Sequence, residues 1–241
     1  MNALETLISE YAAKKELFSV DEVRAVVGEA KPGTPDATIL WRLYEMVQKG
    51  RLCRIGRGKY AKAAKERFLC SVDETLRKKA EEIARNFPYA SWCVWNVAML
   101  GSFSRHQFRA SYDIVEVEKE AAGSVVEVLA GSSGPCLMEQ ALLNVNLASL
   151  GNDRGTVVKT LVQEAPIANN NGVAVPSLEK LIVDLYCGGP ALSFLQGHES
   201  MLIIEAMLAR YTVNSDTLLR YASRRGKKAE LKEKLLKLSA I

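Results

Sequence analysis

The run from Gly50 to Tyr60, GRLCRIGRGKY, admits few structures. Leu52, Cys53 and Ile55 are interleaved with Arg54, a Gly56-Arg57-Gly58 turn interrupts the run, and Lys59 and Tyr60 resume it. Alternation broken by a glycine turn predicts a two-stranded hairpin with one buried face. Its outer face then carries Arg51, Arg54, Arg57 and Lys59, more positive charge than a hairpin needs to stay solvated. A small basic hairpin following a helix is how a winged helix-turn-helix offers its wing to phosphates, so DNA binding is the leading expectation. It requires those cations to project outward and not to fold back on acidic neighbours.

What precedes the hairpin fits this order. Leu4, Leu7, Ile8 and Tyr11 fall on one face of a helix over residues 4–14. A second helix begins at Ser19, where Ser19-x-x-Glu22 forms a capping box and Phe18 is placed to staple onto Val23. The Lys31-Pro32-Gly33 turn closes it. A third helix is expected from Thr34 as N-cap, with Pro35 at its first position, to Gly50. Its inward residues read as Ile39, Leu40, Leu43, Met46 and Val47. Thr34, Thr38, Trp41 and Glu45 read as the opposite face, with Arg42 at its border.

The fold class expected is α/β, α+β overall. A winged helix-turn-helix over 1–67 is followed by a linking helix over 68–88 and an α/β domain over 89–241 with a helical end. In that last part Trp92–Trp95 leads into a helix ending at Gly101, Asp113–Glu118 alternates as a strand, and residues 123–129 look helical. Thr156–Val162 is β-branched and apolar, a buried strand. Asn169-Asn170-Asn171-Gly172 marks a hairpin through Asn-Gly. Pro176 and Ser177 open a helix through Cys187, and helices are expected over 193–211, 215–224 and 227–239.

Composition narrows the function classes. The net charge is +4, yet between Lys14 and Arg67 there are 13 Lys and Arg against 7 Asp and Glu, a surplus of 6. Positive charge is concentrated in the first domain. No apolar run reaches the ~20 residues of a membrane span, and the first residues carry Glu5 and Glu10 with no basic segment of a secretory signal. Five cysteines without a CxxC pair suit a reducing cytoplasm better than a disulfide framework or zinc site.

In a recognition role Thr34, Thr38 and Trp41 approach base edges or sugars, and Arg42 reaches a phosphate or a guanine. Arg51, Arg54, Arg57 and Lys59 contact phosphates, which gives affinity more than sequence preference. Four such contacts correspond to a log–log salt slope of about −3.6. Arg224, Arg225, Lys227 and Lys228 form a second basic cluster, either a solvated helix junction or a contact to flanking DNA or an acidic partner. Leu100-Gly101-Ser102 followed by Asp113 has an outline of a nucleotidyltransferase motif, but Val115 stands where the second metal-binding carboxylate is needed. Asp113, Glu116 and Glu118 are therefore read as a solvated strand face. His106 and His198 have no ligand partner at metal spacing. No catalytic constellation, metal site or cofactor is expected, and the protein is read as a non-enzyme.

Gly50–Ala61 resembles the wing segment of AbiEi-type antitoxins, and Ser177–Tyr186, SLEKLIVDLY, is similar to an element of their C-terminal domain. Ile114–Lys119, Glu164–Ile167, Arg210–Asn214 and Arg220–Gly226 also match. The resemblance implies a type IV antitoxin that represses its own operon by binding inverted repeats in double-stranded DNA and counteracts a nucleotidyltransferase-like toxin. The alternatives are a lone transcriptional regulator, a nucleotidyltransferase-like enzyme with a DNA-targeting head, and an adaptor whose winged helix binds protein. The oligomeric state is not readable from the sequence.

Overall fold

Ser19 organises the start of the first unit, which comprises Met1–Arg67 and Ala209–Thr217. The computed structural model describes residues 3–63, 65–104, 111–143, 154–195 and 197–238. Helix α1 (Ala3–Ala13) leads to a two-residue strand β1 (Phe18–Ser19), then α2 (Val20–Ala30) and α3 (Asp36–Gln48). The Ser19 hydroxyl accepts from the Glu22 amide, and the Ser19 amide donates to the Glu22 carboxylate at 2.7 Å, so the expected capping box forms. Strands β2 (Leu52–Gly56) and β3 (Lys59–Lys62) form the hairpin around Arg57-Gly58, with Gly58 at φ +69°, a conformation that favours glycine.

The unit is an antiparallel sheet of order β1-β3-β2 packed on three helices, the element order of a winged helix. Strand β1 pairs Phe18 with Tyr60 and Ser19 with Lys59, which was not foreseen because two residues are too few to show alternation. Phe18 stacks on Tyr60 at 6.1 Å and meets Tyr11 edge-on at 6.0 Å, tying α1 to the hairpin. Ile8, Val23, Val27, Leu43, Met46 and Leu52 fill the core between them. The returning segment is pinned by Thr212, whose amide donates to the Glu66 carbonyl at 3.0 Å, and by an ion pair between Arg210 and Glu66.

Three details differ from expectation. The N-cap of α3 is Pro35, not Thr34, whose hydroxyl instead donates to the Lys31 carbonyl within the turn. Leu40 is 41% exposed, not part of the core. A register shift between Arg54 and Gly56 turns Ile55 outward, so strict alternation stops at the bulge.

The second unit, Phe68–Leu208 with Leu218–Ile241, is built on a four-stranded sheet. Its strands are β4 (Trp92–Asn96), β5 (Asp113–Val117), β6 (Cys136–Met138) and β7 (Thr156–Thr160), in the order β4-β5-β7-β6. Only β4 runs antiparallel to its neighbour; β5 and β6 both lie parallel to β7. Around it lie α4 (Glu74–Asn86), α5 (Ala122–Ser132), the hairpin β8 (Ile167–Asn170) and β9 (Val173–Pro176), and α6 (Leu178–Cys187). Helices α7 (His198–Arg210), α8 (Ser215–Arg224) and α9 (Lys228–Lys237) follow. The whole protein is thus α+β.

Here too the sequence pattern misled in places. Residues 92–96 are a strand, and the helix expected to end at Gly101 is only a short 3-10 turn over 97–102 capped by Asn96. Helix α5 runs on past the expected residue 129 to Ser132. Helix α4 buries Leu76, Lys79, Ala80 and Ile83 within the unit, so it is a structural layer and no mere linker. The hairpin turn is as read: Asn171 and Gly172 have φ +51° and +88°, the pair of positive values that an Asn-Gly turn accommodates. Cys53, Cys70, Cys93, Cys136 and Cys187 are all free thiols. No helix among the described residues is long and apolar enough to cross a membrane.

Candidate nucleic-acid interface

Glu5 decides which basic residues of the first unit remain available. It lies on α1 with its side chain almost fully buried, and it draws in three cations. Arg51 meets it at 3.2 Å, Lys49 at 3.1 Å and Arg42 at 3.4 Å. Arg42 and Lys49 also pair with Glu45, one turn away on α3. The Glu45 carboxyl sits below its usual range because Lys49 donates to it, although burial opposes the shift. Arg42 keeps 13% of its side chain exposed and stacks over the Trp41 ring at 4.8 Å. Arg42, expected to reach a phosphate or a guanine, is instead engaged by Glu5 and Glu45, and Arg51 is likewise paired with Glu5.

Arg54, Arg57 and Lys59 behave differently. All three are exposed on the hairpin, and the ion pairs of this region are made by Arg42, Lys49 and Arg51 instead. The Arg54 Nε donates to the Gly56 carbonyl at 3.3 Å, which holds the arginine beside the turn without neutralising it. Lys62, at the end of β3, is a further exposed cation that the sequence reading passed over. On the hairpin, the outward positive surface thus comprises Arg54 on β2, Arg57 at the turn, and Lys59 and Lys62 on β3.

On α3 the exposed face is turned from the expected one. Thr38 and Trp41 are exposed, with Trp41 at 55%, but Tyr44 at 61% and Leu40 at 41% are exposed beside them. Thr34 is half-buried in the preceding turn. Ile39, Leu43 and Met46 are buried in the core, and Arg42 and Lys49 meet Glu5 of α1. At about 100° per residue, positions 37, 40, 41, 44 and 48 are then left outermost. Asp36, in the first turn of α3, is held by Arg24 of α2 at 2.5 and 2.8 Å, which neutralises a carboxylate that would otherwise repel phosphate. Its carboxyl is lowered by that arginine.

The second basic cluster does not survive as a free patch. Arg224 pairs with Glu164, Lys227 with Glu230 at 3.0 Å, and Arg225 reaches the buried Asp184 at 3.4 Å. Lys228 alone of the four is both exposed and outside these pairs.

The acids of β5 are not solvated. Asp113 and Glu116 are fully buried, on opposite faces of the strand. Asp113 accepts from Lys79 of α4 at 2.8 Å and from Asn96 at 2.6 Å, and Arg154 meets it at 3.2 Å. Glu116 accepts from Lys180 of α6 at 2.5 Å and from the Trp95 indole at 3.3 Å. Lys180 also donates to Asp184 at 2.5 Å, and the Tyr221 hydroxyl donates to Asp184 at 3.0 Å. Burial alone would lower the Lys180 ammonium, but Asp184 and Glu116 more than reverse this and raise it well above the ordinary value. Because α4 covers one face of β5 and α6 the other, each carboxylate has its own lysine and the two cannot share a metal. Glu118 lies past the strand end and accepts from the Ser91 amide at 3.1 Å. Among the described residues no three His, Cys, Asp or Glu are placed to hold a metal ion. His106 lies outside the described residues.

Residues 38–240 match a family described as a family of unknown function, DUF6577. The chain belongs to this family. No curated protein matches it. The part of this DUF6577 protein that matches begins within α3 and takes in the basic hairpin and the second unit. The exposed hairpin cations therefore lie inside the family's own sequence, whereas Glu5 precedes the matched region.

Proposed function

We propose that this DUF6577 protein binds double-stranded DNA through its first unit and acts in the cytoplasm as a transcriptional repressor. The observation that carries the reading is the hairpin: Arg54, Arg57 and Lys59 stand exposed and outside the ion pairs around Glu5, on strands that follow directly from α3. Cations presented this way attract phosphates and release counterions, a favourable term independent of sequence. The likeness of its residue strings to AbiEi-type antitoxins extends the proposal: the repressed operon includes a nucleotidyltransferase-like toxin that this chain counteracts.

An electrophoretic shift with duplex DNA from upstream of its own gene tests the first part. Wild-type protein is expected to retard the duplex, and the double variant Arg54→Glu, Arg57→Glu is expected not to. Equal retardation by both would remove the hairpin from the interface. Co-expression with the adjacent reading frame tests the second: growth restored by this chain supports the antitoxin role, and unrelieved toxicity refutes it.

A further inference from the structure

Between Thr38 and Gln48, both exposed, the outward face of α3 is dominated by large apolar and aromatic side chains, where a DNA reader normally carries charged or amide groups. Leu40, Trp41 and Tyr44 are 41%, 55% and 61% exposed, and Ala37 is exposed in line with them. Every charged side chain of the helix is already engaged. Asp36 is held by Arg24, and Arg42 and Glu45 are gathered with Lys49 around Glu5. At the far end Gln48 accepts from Arg67 at 3.3 Å.

No arginine or lysine of α3 is left to make the bidentate contact that reads guanine. A helix laid in the major groove meets polar edges at every base pair, with one apolar group among them, the C5-methyl of thymine. Burying an indole and a phenol ring against unpaired polar edges is costly, whereas burying them against methyl groups is favourable. The neighbouring hairpin cations supply the charge complementarity that brings this face to a duplex.

We infer that α3 reads thymine methyl groups, so that the DNA recognised is marked by thymines and not by guanine contacts. This rests on the proposed DNA binding of the first unit. It assigns Trp41, Tyr44 and Leu40 as specificity-determining residues, with Arg54, Arg57 and Lys59 providing affinity.

The test uses the full chain and a duplex library with a randomised centre. Selected sites are expected to carry thymines at fixed positions. Each selected duplex is then remade with deoxyuridine for thymidine, which removes only the methyl. Wild-type binding is expected to weaken about fourfold for each methyl contacted, equivalent to ~0.8 kcal/mol per buried carbon. Trp41→Ala with Tyr44→Ala, both at exposed positions, is expected to bind the thymidine and deoxyuridine duplexes equally. If the wild type binds the two duplexes equally, or if selection fixes guanines and no thymine, the inference fails while DNA binding stands. Retention of no duplex even at low salt overturns DNA binding itself and this inference with it. Self-association of the free protein that disappears in the Trp41, Tyr44 variant assigns the stripe to a second copy of the chain and also overturns the inference.

Discussion

Arg51 closes on Glu5 at 3.2 Å, so the residue that opens the basic hairpin is paired with α1 although its side chain stays 42% exposed. This pairing separates the cations of the first unit into two sets. Arg42, Lys49 and Arg51 hold α1 to α3 and to the start of β2, while Arg54, Arg57 and Lys59 are presented outward.

Glu5→Gln is expected to have opposite effects on stability and on binding. The three cations lose a buried counter-charge, but Lys49 and Arg51 are nearly half exposed and can be rehydrated. The loss is therefore about 1.5–3 kcal/mol, that of a charge-assisted hydrogen bond and not of a fully buried pair. The released cations become available to phosphates and steepen the salt dependence of duplex binding. Urea unfolding and binding at several salt concentrations measure the two effects. Weaker and less salt-dependent binding by Glu5→Gln would contradict this role for Glu5.

The capping box gives the protein an acid-sensitive component. The Ser19 amide and Lys15 hold the Glu22 carboxyl down at about 2, against an ordinary 4.5. A carboxyl lowered in the folded state stabilises fully above its unfolded value and ceases to do so as pH falls through the folded one. The contribution is thus complete above pH 4.5 and disappears toward pH 2. Thermal melts of wild type and Glu22→Gln are expected to differ at pH 6 and to converge as pH is lowered toward 2. A constant difference across that range would show that the Glu22 charge does not contribute.

Lys180 bridges Glu116 and Asp184 where water does not reach. Lys180→Met fills a similar volume but leaves two buried carboxylates facing each other. A loss of ~3–5 kcal/mol is expected, as for other buried pairs stripped of one partner. Chemical denaturation followed by circular dichroism reads it, and a loss under ~1 kcal/mol would mean that the bridge is dispensable. Burial works against the Asp184 charge, but Lys180 and Lys159 hold its carboxyl below 3.8, so its contribution is present above that pH and lost below it.

Much of the first unit was legible because its signals are local. The capping box at Ser19, the turn at Gly58 and the 3.6-residue pattern of Ile39, Leu43 and Met46 each depend on residues within a few positions. What escaped was set by distant partners. Nothing near Arg51 or Arg42 in the chain announces Glu5, 46 and 37 residues away, yet both arginines pair with it. Likewise Asp113 and Glu116 alternate like acids on a solvated edge. They are buried because α4 and α6 bring Lys79 and Lys180 to the two faces of one strand, a pairing that only the topology reveals.

The decisive measurement is the salt dependence of duplex binding by the wild type and by a variant with Arg54, Arg57 and Lys59 all changed to alanine. Three phosphate contacts correspond to a log–log slope contribution of about −2.7. The triple variant is expected to lose roughly that much slope, while Arg42→Ala and Arg51→Ala keep most of theirs. An unchanged slope in the triple variant, or a loss confined to Arg42→Ala and Arg51→Ala, would show that the hairpin does not touch the duplex.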